Sequence, residues 1–203
     1  MKNKVVRVKI CGICDWEIAH QAVEAGVDAL GFVFAPSKRR ISPEKAKQVC
    51  RKLPPFVSRV GVFVNPTLDE VKDIAVYVGL DTIQLHGDET PKFCNDLNYK
   101  VIKSLSVVDG NIPYISPEYR VDAFLLDTGI PGSFGGTGVA FDWQQASNFQ
   151  AGPLILAGGL NPENVQDAIE IAKPYAVDVS SGVETNGDKD ALKIRDFIRR
   201  VKG

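Results

Sequence analysis

Residues 58–85 read SRVGVFVNPTLDEVKDIAVYVGLDTIQL and contain one complete strand, helix and strand pattern. Ser58–Val64 is rich in β-branched residues and ends at turn residues. Thr67 and Glu70 form a capping box, which is typical of a helix start. The apolar residues of that helix recur at spacings of three and four, on one face: Val71, Ile74, Ala75 and Val78. A second β-rich run, Thr82–Leu85, follows.

The same pattern continues along the chain. The predicted strands are Val5–Ile10, Ala29–Phe34, Ser58–Val64, Thr82–Leu85, Val101–Ser104, Phe124–Leu126, Leu154–Ala157 and Ala176–Val179. The predicted helices are Asp15–Ala25, Pro43–Lys52, Leu68–Val78, Pro91–Leu97, one beginning near Asp142, Glu163–Ala172 and Lys189–Val201. The segment Val107–Arg120 is predicted to hold at best a short helix, because it contains a glycine and two prolines.

Strands and helices that alternate without a linker indicate parallel strands joined by right-handed crossovers. Eight such strands are the number of a closed barrel. We therefore predict an α/β fold, a single-domain (β/α)8 TIM barrel that spans residues 1–203. A doubly wound open sheet is the alternative.

The composition is that of an ordinary globular protein. The 203 residues are 44% apolar and 24% charged, with a formal net charge of −1. A charge so close to zero argues against nucleic acid or an anionic membrane as a partner. The apolar runs are shorter than a membrane span, and charges interrupt the first residues, so no secretory signal is predicted. Four scattered cysteines indicate reduced thiols in a cytoplasmic enzyme.

Two reactive side chains stand where predicted strands end. Cys11 follows Val6–Ile10, and Asp127 follows Ala123–Leu126. Chemistry in a barrel collects at the carboxyl ends of the strands, so we expect the two side chains to share one pocket. Cys11 as a base needs its thiolate, so its pKa should be lowered, by Lys9 or by helix ends. Asp127 as an acid must keep a proton, which burial favours.

Each of these side chains has a simpler interpretation as well. Cys11 can be a small buried apolar residue, and Asp127 can be a helix cap or an ion-pair partner. Cys11 and Cys14 together are compatible with a metal or redox site. A structural zinc site needs four ligands, however, and the two histidines, His20 and His86, are far apart in the sequence.

The first predicted strand alternates between polar and apolar residues. Arg7, Lys9 and Cys11 share one face. Because helices cover the outside of a barrel, this face should point toward the axis, where a charge needs a partner. We predict that Asp178, on the last strand, neutralises Arg7 or Lys9 on the adjacent first strand.

Basic and imidazole side chains follow two other predicted strands. The cluster Lys38-Arg39-Arg40 comes after the second strand. Such clusters are commonly solvated, but at the active rim of a barrel the planar guanidinium group suits a substrate carboxylate. His86 ends the fourth strand and either contacts a ligand or forms a hydrogen bond inside the barrel.

Small residues follow the last two predicted strands, and they predict a phosphate site. The clusters are centred on Gly158-Gly159 and on Ser181-Gly182. Glycine lets backbone N–H groups approach an anion, and loops after strands seven and eight bind phosphate in many barrels. The alternative is that these glycines only make tight turns. A further run, Gly135–Gly138, is predicted to be a loop over the site or a plain surface loop.

A series of short motifs covers nearly the whole chain: Lys9–Gly12, Gly31–Phe34, Arg59–Asn65, Gln84–Gly87, Leu125–Asp127, Gly135–Gly138, Phe141–Trp143, Gly158–Pro162 and Val177–Glu184. In this order the motifs resemble those of the phosphoribosylanthranilate isomerase family of tryptophan biosynthesis.

The resemblance implies a (β/α)8 barrel that needs no cofactor and acts on a small-molecule phosphosugar. It also implies that Cys11 is the general base and Asp127 the general acid of an Amadori rearrangement. Phosphate would bind at Gly158, Gly159, Ser181 and Gly182, and the substrate carboxylate at Arg39, with Arg40 as the alternative. Lys9, His86 and Asp178 would support the site, and no metal ligands are implied.

Two other functions remain open. One is the sister isomerase of histidine biosynthesis, which rearranges a similar aminoaldose phosphate but whose relatives place a carboxylate where this chain has Cys11. The other is a phosphosugar-binding barrel without catalysis. The sequence leaves the oligomeric state open, a homodimer included.

Overall fold

The computed structural model describes residues 5–128 and 141–203. Eight strands pair side by side in chain order, and the eighth also pairs with the first, so the parallel sheet closes into a barrel. The strands are β1 (Arg7–Cys11), β2 (Ala29–Val33), β3 (Ser58–Phe63), β4 (Thr82–Leu85), β5 (Lys100–Val107), β6 (Ala123–Thr128), β7 (Leu154–Leu156) and β8 (Ala176–Val179). The predicted (β/α)8 barrel is confirmed, and the open-sheet alternative is wrong.

The α-helices of the described residues cover the outside of this barrel. They are α1 (Trp16–Glu24), α2 (Pro43–Cys50), α3 (Leu68–Val78), α4 (Pro91–Asn95), α5 (Gln144–Ser147), α6 (Val165–Ala172) and α7 (Ala191–Lys202). The segment between β5 and β6 contains no helix, only a bridge between Val108 and Asn111. Within residues 5–128 and 141–203, no helix has both the length and the apolarity to cross a bilayer.

Side-chain caps determine where several helices begin. Ser42, Thr67 and Thr90 each accept a hydrogen bond from the backbone N–H three residues further on. Asn161, which precedes Pro162, does not cap α6 directly. Its side chain accepts from two backbone N–H groups of a turn, and α6 begins only at Val165.

Apolar side chains fill two separate layers. The larger layer lies between strands and helices and includes the fully buried Phe32, Phe63 and Phe197. The smaller one consists of strand residues and of Ala157, just after β7, which we assign to the barrel interior: Val60, Ile102, Ala123, Leu125, Ile155, Ala157 and Ala176. Because side chains alternate along a strand, the next inward positions of several strands carry polar groups.

A buried ion pair joins β1 to β8, where the barrel closes. Lys9 lies beside Asp178 in the register, and Lys9 Nζ is 3.0 Å from Asp178 Oδ1. The two side chains are only 4% and 9% exposed. The predicted pairing is thus confirmed for Lys9. Arg7 was expected to face the axis as well, but its side chain is half exposed and pairs with Asp28.

A second buried ion pair fixes the loop after β4. Lys103 Nζ is 2.8 Å from Glu89 Oε2, and both side chains are almost fully buried. Lys103 also donates to the carbonyl of Gly87, while Glu89 accepts from the backbone N–H groups of Gly87 and Asn65. The loop that begins with His86 is therefore held by charge-assisted hydrogen bonds.

Removing the lysine of this second pair should destabilise the fold. Lys103→Met leaves the Glu89 carboxylate buried without its cation, which should lower the free energy of unfolding by about 3–5 kcal/mol. Urea denaturation measures the change. The control is Lys100→Met, which breaks an exposed pair with Asp122 and should have a much smaller effect. Equal losses in the two variants would contradict the account.

Candidate active site

Cys11 and Asp127 both lie at the mouth formed by the carboxyl ends of the strands. Cys11 is the last residue of β1, and Asp127 is the fifth residue of β6. Both are buried. In the closed barrel, β7 and β8 separate β1 from β6 on one side and β2 to β5 separate them on the other. The thiol and the carboxyl group therefore belong to different parts of one rim.

Lys9 and Cys11 occupy the space that Gly31 leaves free on β2. A Cβ atom on Gly31 would lie 2.9 Å from Cys11 Sγ and 3.1 Å from Lys9 Nζ. The ammonium group of Lys9 thus adjoins the thiol while it binds Asp178. On the other side, Ser180 Oγ donates to the carbonyl of Cys11 at 3.1 Å. The end of β1 is tied to both of its neighbours.

Burial raises the pKa of the Cys11 thiol above its ordinary value, because a thiolate is costly to desolvate. The ammonium groups of Lys9 and Lys189 act in the opposite direction and reduce the rise, while the Asp178 carboxylate adds to it. The expectation that the pKa of Cys11 is lowered is therefore wrong for the protein alone. Lys9 lowers it, as proposed, but by less than burial raises it.

Asp127 faces an imidazole and a glycine loop. His86 Nε2 lies 3.5 Å from Asp127 Oδ2, which is close enough for an ionic contact. Among the described residues, this buried nitrogen has no hydrogen-bond partner. His86 Nδ1 is 3.1 Å from the amide nitrogen of Gln84. A Cβ atom on Gly158 would lie 3.0 Å from Asp127 Oδ1, so the loop after β7 passes directly over the carboxyl group.

The loops after β7 and β8 meet and present backbone N–H groups. Gly158 and Gly159 have φ values of +79° and +64°, which favour glycine. The loop after β8 is a short 3₁₀-helix, Ser181–Val183. A Cβ atom on Gly182 would lie 1.8 Å from the carbonyl oxygen of Leu160, so a side chain there would push the loops apart.

These backbone groups are available to an anion. No residue in the described part of the chain accepts a hydrogen bond from the N–H groups of Gly159, Leu160, Ser181 or Gly182. Converging backbone N–H groups form anion-binding concavities. The predicted phosphate residues are thus brought together, between the strands that carry Asp127 and Cys11.

Arg39 lies beside Cys11, but part of its guanidinium group is occupied. A Cβ atom on Gly12 would lie 2.7 Å from Arg39 Cδ, so the arginine stem packs on the turn that follows Cys11. Arg39 Nε and Nη2 donate to the two carboxylate oxygens of Glu184, at 2.6 and 3.0 Å. Arg40 is exposed and forms a backbone bridge with Val33.

The thiols form no redox or metal centre in the part of the chain that is described. All four cysteines are unpaired, and no three His, Cys, Asp or Glu side chains of residues 5–128 and 141–203 are grouped to hold a metal ion. Cys14 is exposed, and its Sγ lies near the carbonyls of Gly12 and Arg39.

A family model described as "N-(5'phosphoribosyl)anthranilate (PRA) isomerase" matches residues 8–200. The chain belongs to the PRA isomerase family. The N-(5'-phosphoribosyl)anthranilate isomerase of Geobacter sulfurreducens is 53% identical to it, over 98% of this chain and 100% of the relative.

Two solved PRA isomerases also match nearly the whole chain. One is described as monomers generated from the dimeric enzyme of Thermotoga maritima, with a TM-score of 0.82 and 43% identity over 98% of this chain and 99% of that one. The other is a complex with reduced 1-(o-carboxyphenylamino)-1-deoxyribulose 5-phosphate, with a TM-score of 0.81 and 44% identity over 98% and 99% of the two chains.

One element of the structure was not predicted from the sequence. The strands β9 (Glu184–Thr185) and β10 (Asp188–Lys189) form an antiparallel ribbon between β8 and α7. Asn186-Gly187, a common hairpin turn, was the available signal, but the flanking strands are too short for a recognisable pattern. The predicted loop Gly135–Gly138 lies outside the described residues.

The raised pKa of Cys11 can be measured by thiolate absorbance. The difference between the titrations of wild type and Cys11→Ala should give a pKa above that of an ordinary cysteine, because burial is the largest influence on it. Lys9→Met should raise that pKa further, since it removes the nearest cation. Because the folded protein holds this proton more tightly than the unfolded chain, Cys11 should contribute to stability at lower pH and lose that contribution as pH rises through the folded pKa.

A control titration of Cys14→Ala separates the exposed thiol from the buried one. A pKa for Cys11 below the ordinary value, in the protein without substrate, would contradict the balance of burial and charge described here.

Proposed function

We propose that this protein catalyses the Amadori rearrangement of N-(5-phosphoribosyl)anthranilate to 1-(2-carboxyphenylamino)-1-deoxyribulose 5-phosphate, a step of tryptophan biosynthesis. The single observation that carries this proposal is the family match, which includes the strands that bear Cys11 and Asp127 as well as both glycine loops. A solved relative binds a reduced form of the same product.

In this reaction Asp127 is the general acid. Its carboxyl group protonates the ring oxygen of the ribose, and the C1–O bond breaks to give an open-chain iminium. His86 stabilises the Asp127 carboxylate that this proton transfer leaves behind. When the amide nitrogen of Gln84 donates to Nδ1, the ring proton of His86 lies on Nε2, which faces Asp127.

Cys11 is the general base. Its thiolate removes the proton from C2 of the iminium, and the electron pair of that C–H bond forms the enolamine, which then becomes the ketone of the product. The raised pKa of the resting thiol fits this order of steps. The iminium adds a positive charge to those of Lys9 and Lys189, and together they favour the thiolate only when a C2 proton is ready to leave.

Two anchors hold the substrate between acid and base. The loops of Gly158-Gly159 and Ser181-Gly182 bind the phosphate through backbone N–H groups, and Arg39 binds the anthranilate carboxylate with N–H groups that Glu184 leaves free. Fixing both ends of a flexible sugar phosphate converts the proton transfers into reactions between positioned groups.

Loss of either proton-transferring group should remove most of the activity. Cys11→Ala and Asp127→Asn should each lower kcat by about 10²–10⁴-fold, the range expected for one general acid or base. Turnover is followed by the loss of anthranilate fluorescence. The matched controls are Cys14→Ala and Asp69→Asn, whose side chains are exposed. Full turnover in Cys11→Ala or Asp127→Asn would contradict the assigned roles, and product binding without turnover by wild type would indicate a non-catalytic barrel.

A glycine-to-alanine substitution, which adds one methyl group, tests the phosphate site. Gly182→Ala should raise the Kd for inorganic phosphate and the KM for substrate by at least about tenfold, because the added Cβ collides with the carbonyl of Leu160 and separates the two loops. Gly26→Ala is the control: it has open space around its Cβ and a positive φ, so it reports backbone strain alone. Unchanged phosphate binding in Gly182→Ala would place the phosphate elsewhere.

We also propose that the protein is a cytoplasmic homodimer. The dimeric state described for the Thermotoga maritima relative supports the assembly, and four unpaired thiols suit a reducing compartment. Phe56, which is 96% exposed in the loop between α2 and β3, is an apolar side chain that an interface would cover. A monomeric mass in sedimentation equilibrium would contradict the dimer.

A further inference from the structure

The ribbon of β9 and β10 reaches across the mouth to Arg39. Glu184 and Lys189 are opposite each other in its register, and Lys189 Nζ is 2.8 Å from Glu184 Oε1. Lys189 also donates to the carbonyl and hydroxyl oxygens of Ser180, whose hydroxyl in turn donates to Cys11. The ribbon is therefore attached to the end of β1 as well as to the arginine.

Glu184 is an unusually well-bound carboxylate. Its side chain is 5% exposed and accepts from both Arg39 and Lys189, and Lys38 lies 3.3 Å from Oε2. Although burial acts to raise it, hydrogen bonds from Arg39 and Lys189 lower the pKa of Glu184 to about 2. Three cations share this one carboxylate, so an additional anion would be favoured beside them.

The geometry leaves one edge of Arg39 for that anion. An arginine has five N–H donors in a rigid fork, and Glu184 takes one from Nε and one from Nη2. The three remaining N–H groups are the two of Nη1 and one of Nη2, and they form the end of the guanidinium group. An arginine fixed in this way loses little side-chain freedom when it binds a second carboxylate.

We propose that Glu184 is a positioning residue, which holds the guanidinium group of Arg39 so that its free N–H groups meet the anthranilate carboxylate of the substrate. This inference rests on the proposed function and on the assignment of Arg39 to that carboxylate. Glu184 itself does not touch the reacting atoms. Its effect should therefore depend on the presence of both Arg39 and the substrate carboxylate.

The test compares two unreactive ligands, the reduced product analogue and the same molecule without its ortho-carboxylate. Both Kd values are measured by calorimetry. The Kd of the ligand without the carboxylate, divided by the Kd of the analogue that has it, reports the contribution of the carboxylate alone. Glu184→Gln should lower this ratio by about threefold to tenfold, because Arg39 is no longer fixed. In turnover, KM should rise by a similar factor while kcat changes less, since acid and base are untouched.

A double-mutant cycle identifies the route of the effect. Arg39→Met should abolish the preference for the carboxylate, and adding Glu184→Gln to it should change the ratio no further. Glu170→Gln, on the exposed face of α6, is the matched control and should leave the ratio unchanged. An unchanged ratio in Glu184→Gln, or an additive loss in the double variant, would overturn the proposal.

Glu184→Asp keeps the result interpretable if Glu184→Gln folds poorly. It retains a charge for Lys189 but is one methylene too short to hold both Arg39 nitrogens, so it too should lower the ratio; an unchanged ratio would overturn the proposal. The failure of the proposed function has a separate signature. In that case wild type would not turn over the substrate. If the enzyme is active but Arg39→Met leaves the ratio unchanged, the assignment of Arg39 to the carboxylate is wrong, and so is this inference, while the proposed function stands.

Discussion

The ion pair between Lys9 and Asp178 is the interaction on which the rest of the site depends. It joins the first strand to the last, where the barrel closes, and it is buried on both sides. A buried charge without a partner is strongly unfavourable, so neither residue can leave this position without a large cost. The same ammonium group adjoins Cys11 across Gly31. The same ion pair therefore closes the barrel and sets the electrostatic surroundings of Cys11, the proposed base.

From the junction of β1 and β8, the site extends around the rim through β7 to β6. Ser180 connects the end of β1 to the loop after β8, Gly182 packs against the loop after β7, and Gly158 covers Asp127. Each contact is close enough that a Cβ atom, or the loss of a hydroxyl, would disturb the next. The backbone N–H groups that are free for phosphate lie in the middle of this series. The proposed anchor thus has a fixed position relative to both proton-transferring groups.

The sequence was sufficient for the barrel because its signals are local. β4, β8 and α3 were predicted with the bounds that the structure shows, since periodicity and caps such as Thr67 act over a few residues. Strand parity also predicted that Asp178 pairs with Arg7 or Lys9, and the structure shows the pair with Lys9. The pKa of Cys11 was predicted in the wrong direction because it depends on how deeply the folded barrel buries the thiol. The contact between Arg39 and Glu184 was missed because it spans 145 residues and requires a ribbon of two-residue strands.

A crystal structure of this protein with the reduced product analogue tests the central claim most directly. We expect C2 of the sugar to lie between Cys11 Sγ and the Asp127 carboxyl group, with phosphate oxygens on the N–H groups of Gly159 and Gly182. A phosphate bound away from these loops, or a sugar with Cys11 and Asp127 on the same face, would contradict it.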